Sequence, residues 1–161
     1  MVMRLNLGAG PFYWPGFVNI DFEGDQDVTC DITDLSDFED ESVEEVHAIH
    51  CFEHLHRMKA ETTLAEWRRV LQPAGRLVLE LPCLNKMAKM IVEGEKNLRL
   101  TLLGLYGDPR ESRPHMAHQW GWSEEEIGAS LIDSGFTDIE YLPPAFHIEA
   151  RDMRVEAHRR N

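Results

Sequence analysis

Apolar positions along the chain fall into two spacings. Strand-like runs occur at MRLNL (3–7), FVNIDF (17–22), DVTCDI (27–32), VEEVHAIH (43–50) and GRLVLELP (75–82). In the third the alternation is weakened by Cys30 and Asp31, whereas the Leu-Val-Leu-Glu-Leu centre of the fifth suits burial on both faces. Between the fourth and fifth runs, Ala60, Leu64, Trp67 and Leu71 recur at intervals of 4, 3 and 4. That is one stripe of an amphipathic helix over 59–71, stopped by Pro73 with Gly75 just beyond. Ser123 followed by Glu126 has the form of a capping box; Ile127 and Leu131 share a face of the helix it opens, and Gly135 ends it. FTDIEYL (136–142) reads as a sixth strand and ARDMRVEAHR (150–159) as a last, edge-like one. Residues 84–107 are apolar, Met-bearing and helical in period, with a break at Gly94, and 108–122 reads as loop. Strands alternating with helices predict an α/β fold with a mostly parallel sheet. Without repeats or a linker, 1–161 reads as one domain carrying a helical excursion at about 84–122.

Composition narrows the classes. With 43% hydrophobic and 28% charged residues the chain is expected to be globular. No apolar run approaches the ~20 residues that span a bilayer, and MVMRLNLGAG is too short and polar for a signal peptide. A cytoplasmic protein is expected. A net charge of −13, from 16 basic and 29 acidic residues, disfavours nucleic acid as the main partner, because phosphate contacts need Lys and Arg. Cys30, Cys51 and Cys83 are odd in number and make no C-x-x-C, so free thiols near strand ends are expected rather than disulfides or a cysteine metal site.

Ligands of parallel α/β sheets bind beyond the carboxyl ends of the strands. After the first strand comes Gly8-Ala9-Gly10, where glycine lets the backbone turn and approach a ligand closely. After the second comes Asp21, a carboxylate placed to accept ribose hydroxyls; it follows Gly8 so soon that the first crossover helix must be stunted, as Pro11 and Pro15 also suggest. After the third comes Asp31 with Ile32 beside it, an acid for the exocyclic amine of adenine and an apolar neighbour for its ring. After the fourth comes His50-Cys51-Phe52-Glu53-His54, literally an H-x-x-E-H string of the kind found in some zinc peptidases. Zinc binding of that kind needs both histidines on one continuous helical turn. Here VEEVHAI reads as strand, so His50 falls at a strand end and only Glu53 and His54 start the next helix.

Six stretches together resemble the class I S-adenosylmethionine (SAM) dependent methyltransferases, and within them the small type 11 group: LNLGAG (5–10), GFVNID (16–21), DVTCDI (27–32), SVEEVHAIHCFEHL (42–55), EWRRVLQPAGRLVLELP (66–82) and GWSEEEIGASLIDSGF (121–136). The run EWRRVLQPAGRL is the most specific. Ala9 and Ala74 stand where the family often has Cys and Gly, and no N-terminal helix precedes the first strand to lid the site. The resemblance implies a Rossmann-like three-layer sandwich with a seven-stranded sheet in the order 3-2-1-4-5-7-6, its last strand antiparallel. It implies SAM as cofactor. The turn Leu7, Gly8, Ala9 and Gly10 would cradle its methionine end, Asp21 would hold the ribose, Asp31 and Ile32 the adenine, and His50 and Cys51 would lie near the methyl group.

The family offers no universal catalytic residue. His54 is the first candidate base, with His115 and His118 of RPHMAHQWGW next, and Trp120 and Trp122 are candidate pocket walls. Some quinone-precursor methyltransferases hold a divalent cation with E-x-x-E-H at the corresponding place; His50 replaces the first acid here, so no metal is assigned. No N/D-P-P-Y/F string follows the fourth strand, which argues against DNA amino-methylation. The expected acceptor is a small organic or saccharide molecule, methylated on O or N, with a homodimer as a possible assembly. The alternatives are an inactive SAM-binding or regulatory subunit, then an aminopropyltransferase, then a zinc peptidase.

Overall fold

The computed structural model describes residues 2–94 and 98–161. Strands β1 (Arg4–Leu7), β2 (Val18–Asp21), β3 (Val28–Thr29), β4 (Val43–Ile49), β5 (Leu71–Pro82), β6 (Phe136–Leu142) and β7 (Asp152–Arg159) form one sheet in the order β3-β2-β1-β4-β5-β7-β6. Pairing is parallel from β3 through β5 and antiparallel between β5 and β7 and between β7 and β6. This is the sheet the resemblance implies. The last strand is interior rather than edge-like: β7 buries Met153, Val155 and Ala157 between its neighbours, while β6, exposed at alternate positions and at its end, forms the edge.

Register sorts the strand residues into rows. Leu5, Val46, Leu77 and Ala157 lie side by side on one face, followed by Leu7, Ala48, Leu79 and Val155. All eight are almost fully buried in the core, together with Leu64, Trp67 and Val70 of α1 (Ala60–Val70) and Ile127 and Leu131 of α4 (Glu124–Asp133). The opposite face reads Arg4, Glu45, Arg76 and His158, then Asn6, His47, Val78 and Glu156. On this face β4, β5 and β7 are stitched by ion pairs, with Arg76 bridging Glu45 (2.9 Å) and Glu156 (3.2 Å). Trp14 and Phe17 set their rings edge-on against His47.

The crossover from β1 to β2 contains no helix. Asn19 holds it instead: its Oδ1 accepts from the Trp14 amide (2.8 Å) and from Asn6 (3.0 Å), and its Nδ2 donates to the Trp14 and Phe17 carbonyls and to Asp27. One fully buried asparagine thus satisfies a turn in which Pro11 and Pro15 block helical pairing.

Two helices, α2 (Leu84–Val92) and α3 (Leu98–Tyr106), follow β5; residues 95–97 of this stretch lie outside the described residues. Gly104 of α3 faces Met87 of α2 and Arg151 before β7. The capping box at α4 is half formed. Ser123 Oγ accepts from the Glu126 amide (3.0 Å), but the Glu126 carboxylate turns away to accept from Arg57 and Trp120, each at 3.1 Å. β5 starts earlier than its sequence run because residues 72–75 bulge out, so that Leu71 pairs with Val43 and Arg76 with Glu45. Among the described residues, no helix is long and apolar enough to cross a membrane.

Candidate active site

At the carboxyl ends of β1, β2 and β4 the chain opens a cleft of about 1150 Å³. Its wall contains Gly8, Ala9, Gly10, Asp21, Asp31, Ile32, His50 and Cys51, eight of the nine residues expected around the cofactor. Leu7 is the exception. It is fully buried, and only its carbonyl reaches toward the site, accepting from Cys51 Sγ at 3.3 Å.

The glycine turn is built tightly. Gly8 takes φ +64°, and a Cβ placed on it would lie 2.4 Å from Cys51 Cβ, so β1 and β4 end against each other only because this residue has no side chain. Asp21 Oδ2 accepts from the Gly10 amide at 2.9 Å, which ties the turn to the end of β2. The other oxygen of Asp21 has one long contact, 3.4 Å from the Glu23 amide, and retains capacity to accept from a ligand. Asp31 braces its own turn by accepting from the Thr33 amide at 2.9 Å. Gln26, not singled out from the sequence, donates to the Gly10 carbonyl at 2.5 Å.

His50 ends β4 in the left-handed region, φ +52°, an uncommon conformation for a residue with a side chain. That turn inserts its ring among buried acids: Nδ1 lies 2.9 Å from Glu53 and Nε2 lies 3.6 Å from Asp152. Burial works against the imidazolium, but the Glu53 and Asp152 carboxylates outweigh it and raise the His50 pKa to about 9. Glu53 is 1% exposed; burial alone would raise it, yet His50 and then His54 and His118 bring it down to about 2. Cys51 goes the other way, its thiol pushed up by burial and by the nearby Glu53 and Asp21, so it is no nucleophile.

Glu53 and His54 do not start the next helix as expected. They form a separate 3-10 turn, Phe52–His54, and α1 begins only at Ala60. Nor do His50 and His54 share a helical turn, which removes the zinc-peptidase geometry. A different trio is gathered instead: Glu53, His54 and His118 offer ligand atoms within 4.8 Å of one another. His118 Nδ1 contacts the Gly104 carbonyl at 2.7 Å, so Nε2 carries the lone pair and faces Glu53 at 3.9 Å. Burial lowers the His118 pKa, against the pull of Glu53. Two imidazoles and a carboxylate form a set that could hold a transition-metal ion.

The three expected bases separate. His54 lines the main cleft and a smaller one of about 530 Å³ beside it, His115 lines only the main cleft, and His118 only the smaller. Trp120 and Trp122 line neither. Trp122 is buried against Phe52, and Trp120 hydrogen-bonds Glu126. Two further wall residues, Phe146 and His147, come from the loop between β6 and β7. Buried Glu80, at the end of β5, holds that loop by accepting from the Ala145 (2.8 Å) and Phe146 (3.0 Å) amides. The only sequence signal for this placement is an acid near a strand end, at Glu80.

Residues 16–79 match a family described as Methyltransferase domain, a segment running from β2 into β5. No curated protein sequence matches the chain. Among solved structures, it is similar to the CurJ carbon methyltransferase, with 20% identity, a TM-score of 0.65 and coverage of 99% of this chain and 49% of that one. It is also similar to a SAM-dependent methyltransferase from Methanosarcina mazei, with 16% identity, TM-score 0.67 and coverage of 98% and 92%. A third is the Burkholderia thailandensis 1,6-didemethyltoxoflavin-N1-methyltransferase, solved with its substrate and S-adenosylhomocysteine, at 14% identity, TM-score 0.66 and coverage of 99% and 71%. The chain spans about half the length of the first of these and most of the other two. The matched segment is similar to the Methyltransferase domain family, and the sheet order is that of the Rossmann-like methyltransferase fold.

Proposed function

We propose that this chain transfers a methyl group from SAM to a small organic or saccharide acceptor, at oxygen or nitrogen, in the main cleft. The observation that carries the reading is convergence. A glycine turn, two aspartates and the end of β4, spread over residues 8–51, meet on one wall. The cleft fits the cofactor chemically. Gly10 takes φ +51° and nothing lies within 4 Å of a Cβ placed there, so a ligand can approach its backbone closely. Asp21 keeps acceptor capacity for ribose hydroxyls, and Asp31 with Ile32 stands further along for the adenine. The sulfonium, when bound, supplies an already activated methyl group. The chain then has to align an acceptor with it, and such orientation supplies about 7–11 kcal/mol. Where the acceptor carries a proton, a cleft histidine takes it: His54, His115 and His147 line the wall.

A SAM-binding subunit without turnover is the competing reading. Calorimetric titration with SAM and S-adenosylhomocysteine tests cofactor binding, and tritium transfer to an acceptor panel separates the two readings. Binding of both nucleosides, weakened at least ~10-fold by Asp21→Ala, is expected, since a hydrogen bond to a charged group contributes about 1.5–3 kcal/mol. Absence of binding rejects both.

A further inference from the structure

We propose that His147, oriented by the buried Glu80 carboxylate, is the general base of the methyl transfer, and that the acceptor is a hydroxyl. This rests on the methyltransferase reading and names its acceptor chemistry. A base needs one ring nitrogen on the reacting proton and a fixed partner on the other. His115 packs edge-on against Phe22, and the acid it meets is Glu23, an exposed carboxylate at the cleft rim, 3.6 Å away. His54 shares Glu53 with His50 and His118, and its Nδ1 is sealed from solvent. His147 has the required arrangement. Its Nδ1 lies 3.4 Å from Glu80 Oε1, and Glu80 is 0% exposed. That acid is itself immobilised by the two loop amides, with Arg154 behind it at 3.8 Å. The ring lies over His50 at a centroid distance of 3.8 Å, at the end of β4. With Nδ1 directed at Glu80, Nε2 is the nitrogen left to take a proton, on a side chain of the cleft wall.

In the step, the acceptor O–H proton passes to His147 Nε2 while an oxygen lone pair forms the O–CH3 bond. The electrons of the S–CH3 bond remain on sulfur. The imidazolium, paired with Glu80, then returns its proton to water.

Two measurements on the full chain test this. The first is long-range proton–nitrogen NMR of 15N-histidine protein saturated with S-adenosylhomocysteine. The proton of His147 is expected on Nδ1, and Glu80→Gln should shift it toward Nε2, a signature that loop anchoring alone would not produce. A proton on Nε2 in the unaltered chain overturns the proposal. The second is tritium transfer from SAM to catechol, glucose and glycerol as hydroxyl probes. His147→Asn, on an exposed loop, should cut kcat by about 10²–10⁴-fold. Its affinity for S-adenosylhomocysteine should stay within about threefold of the unaltered chain. Unchanged kcat in His147→Asn, or transfer to none of the hydroxyls, overturns it. Retained nucleoside binding with sensitivity to Asp21→Ala shows that the cofactor reading survives such a failure.

Discussion

Gly8 and Gly10 share a backbone conformation and differ in what surrounds them. Both are left-handed, but a Cβ on Gly8 would meet Cys51 at 2.4 Å, whereas one on Gly10 meets nothing within 4 Å. Gly8→Ala therefore combines strain of about 1–3 kcal/mol with displacement of the end of β4. It should lower both the melting temperature and the affinity for S-adenosylhomocysteine, the latter by at least ~10-fold, at about 1.4 kcal/mol per decade. Gly10→Ala carries only the strain, so its melting temperature should fall less; equal losses in the two variants would refute the steric account. His50 supplies a pH prediction at the same scale. Its folded pKa is raised from 6.5 to about 9, so its stabilisation is fully present below pH 6.5 and is lost as pH rises through about 9. In chelator-treated protein the His50 ring should titrate near 9 by NMR, and stability should decline from pH 6.5 to 9. His50→Gln should flatten that decline.

Among the elements, strands with a buried face were the most legible, because alternation over Leu5–Leu7, Val46–Ala48 and Leu77–Leu81 reports a real apolar face. The amphipathic stripe of α1 was equally clear for the same reason. What alternation could not reveal was how the second face is closed. Between β1 and β2 a buried Asn19 network replaces a helix, and across β4, β5 and β7 charged side chains pair with one another. Those partners lie 31 and 80 positions apart, beyond the reach of any local pattern. Arg76 is the centre of that ladder. Removing it as Arg76→Ala leaves Glu45 and Glu156 without their shared cation. Single exposed pairs contribute about 0–1 kcal/mol, but a half-buried arginine bridging two acids should cost somewhat more, about 1–2 kcal/mol. Chemical denaturation in urea checks this. The deficit should shrink at high salt, where like-charge repulsion between the acids is screened; a deficit independent of salt would point to lost packing of the arginine stem instead.

At the scale of the whole molecule, the site divides by contact range. Gly8, Gly10, Asp21 and Asp31 were legible because each follows a strand whose carboxyl end the topology fixes. Glu80, His147 and Asp152 were not, since their roles depend on the β6–β7 loop folding back over β5 from 65 positions away. The same long reach binds the excursion to the sheet. The Gly104 carbonyl holds His118, the Cα of Gly104 packs on Arg151, Arg151 pairs with Asp152 at 2.6 Å, and Asp152 flanks His50. Lys86 of α2 adds a bond to the Asp152 carbonyl at 2.6 Å. Loosening α3 must then disturb acids at the carboxyl ends of β5 and β4, so excursion and sheet should unfold together as one domain. Calorimetry should give one transition, with calorimetric and van't Hoff enthalpies equal. S-adenosylhomocysteine at 100 times its Kd should stabilise the native state by about 2.7 kcal/mol. For a chain of this size that moves the whole transition up by about 5–10 °C. An early melting step that the nucleoside leaves in place would mean that the α2–α3 excursion is energetically separate from the cofactor cleft, contrary to the contacts through Gly104 and Arg151.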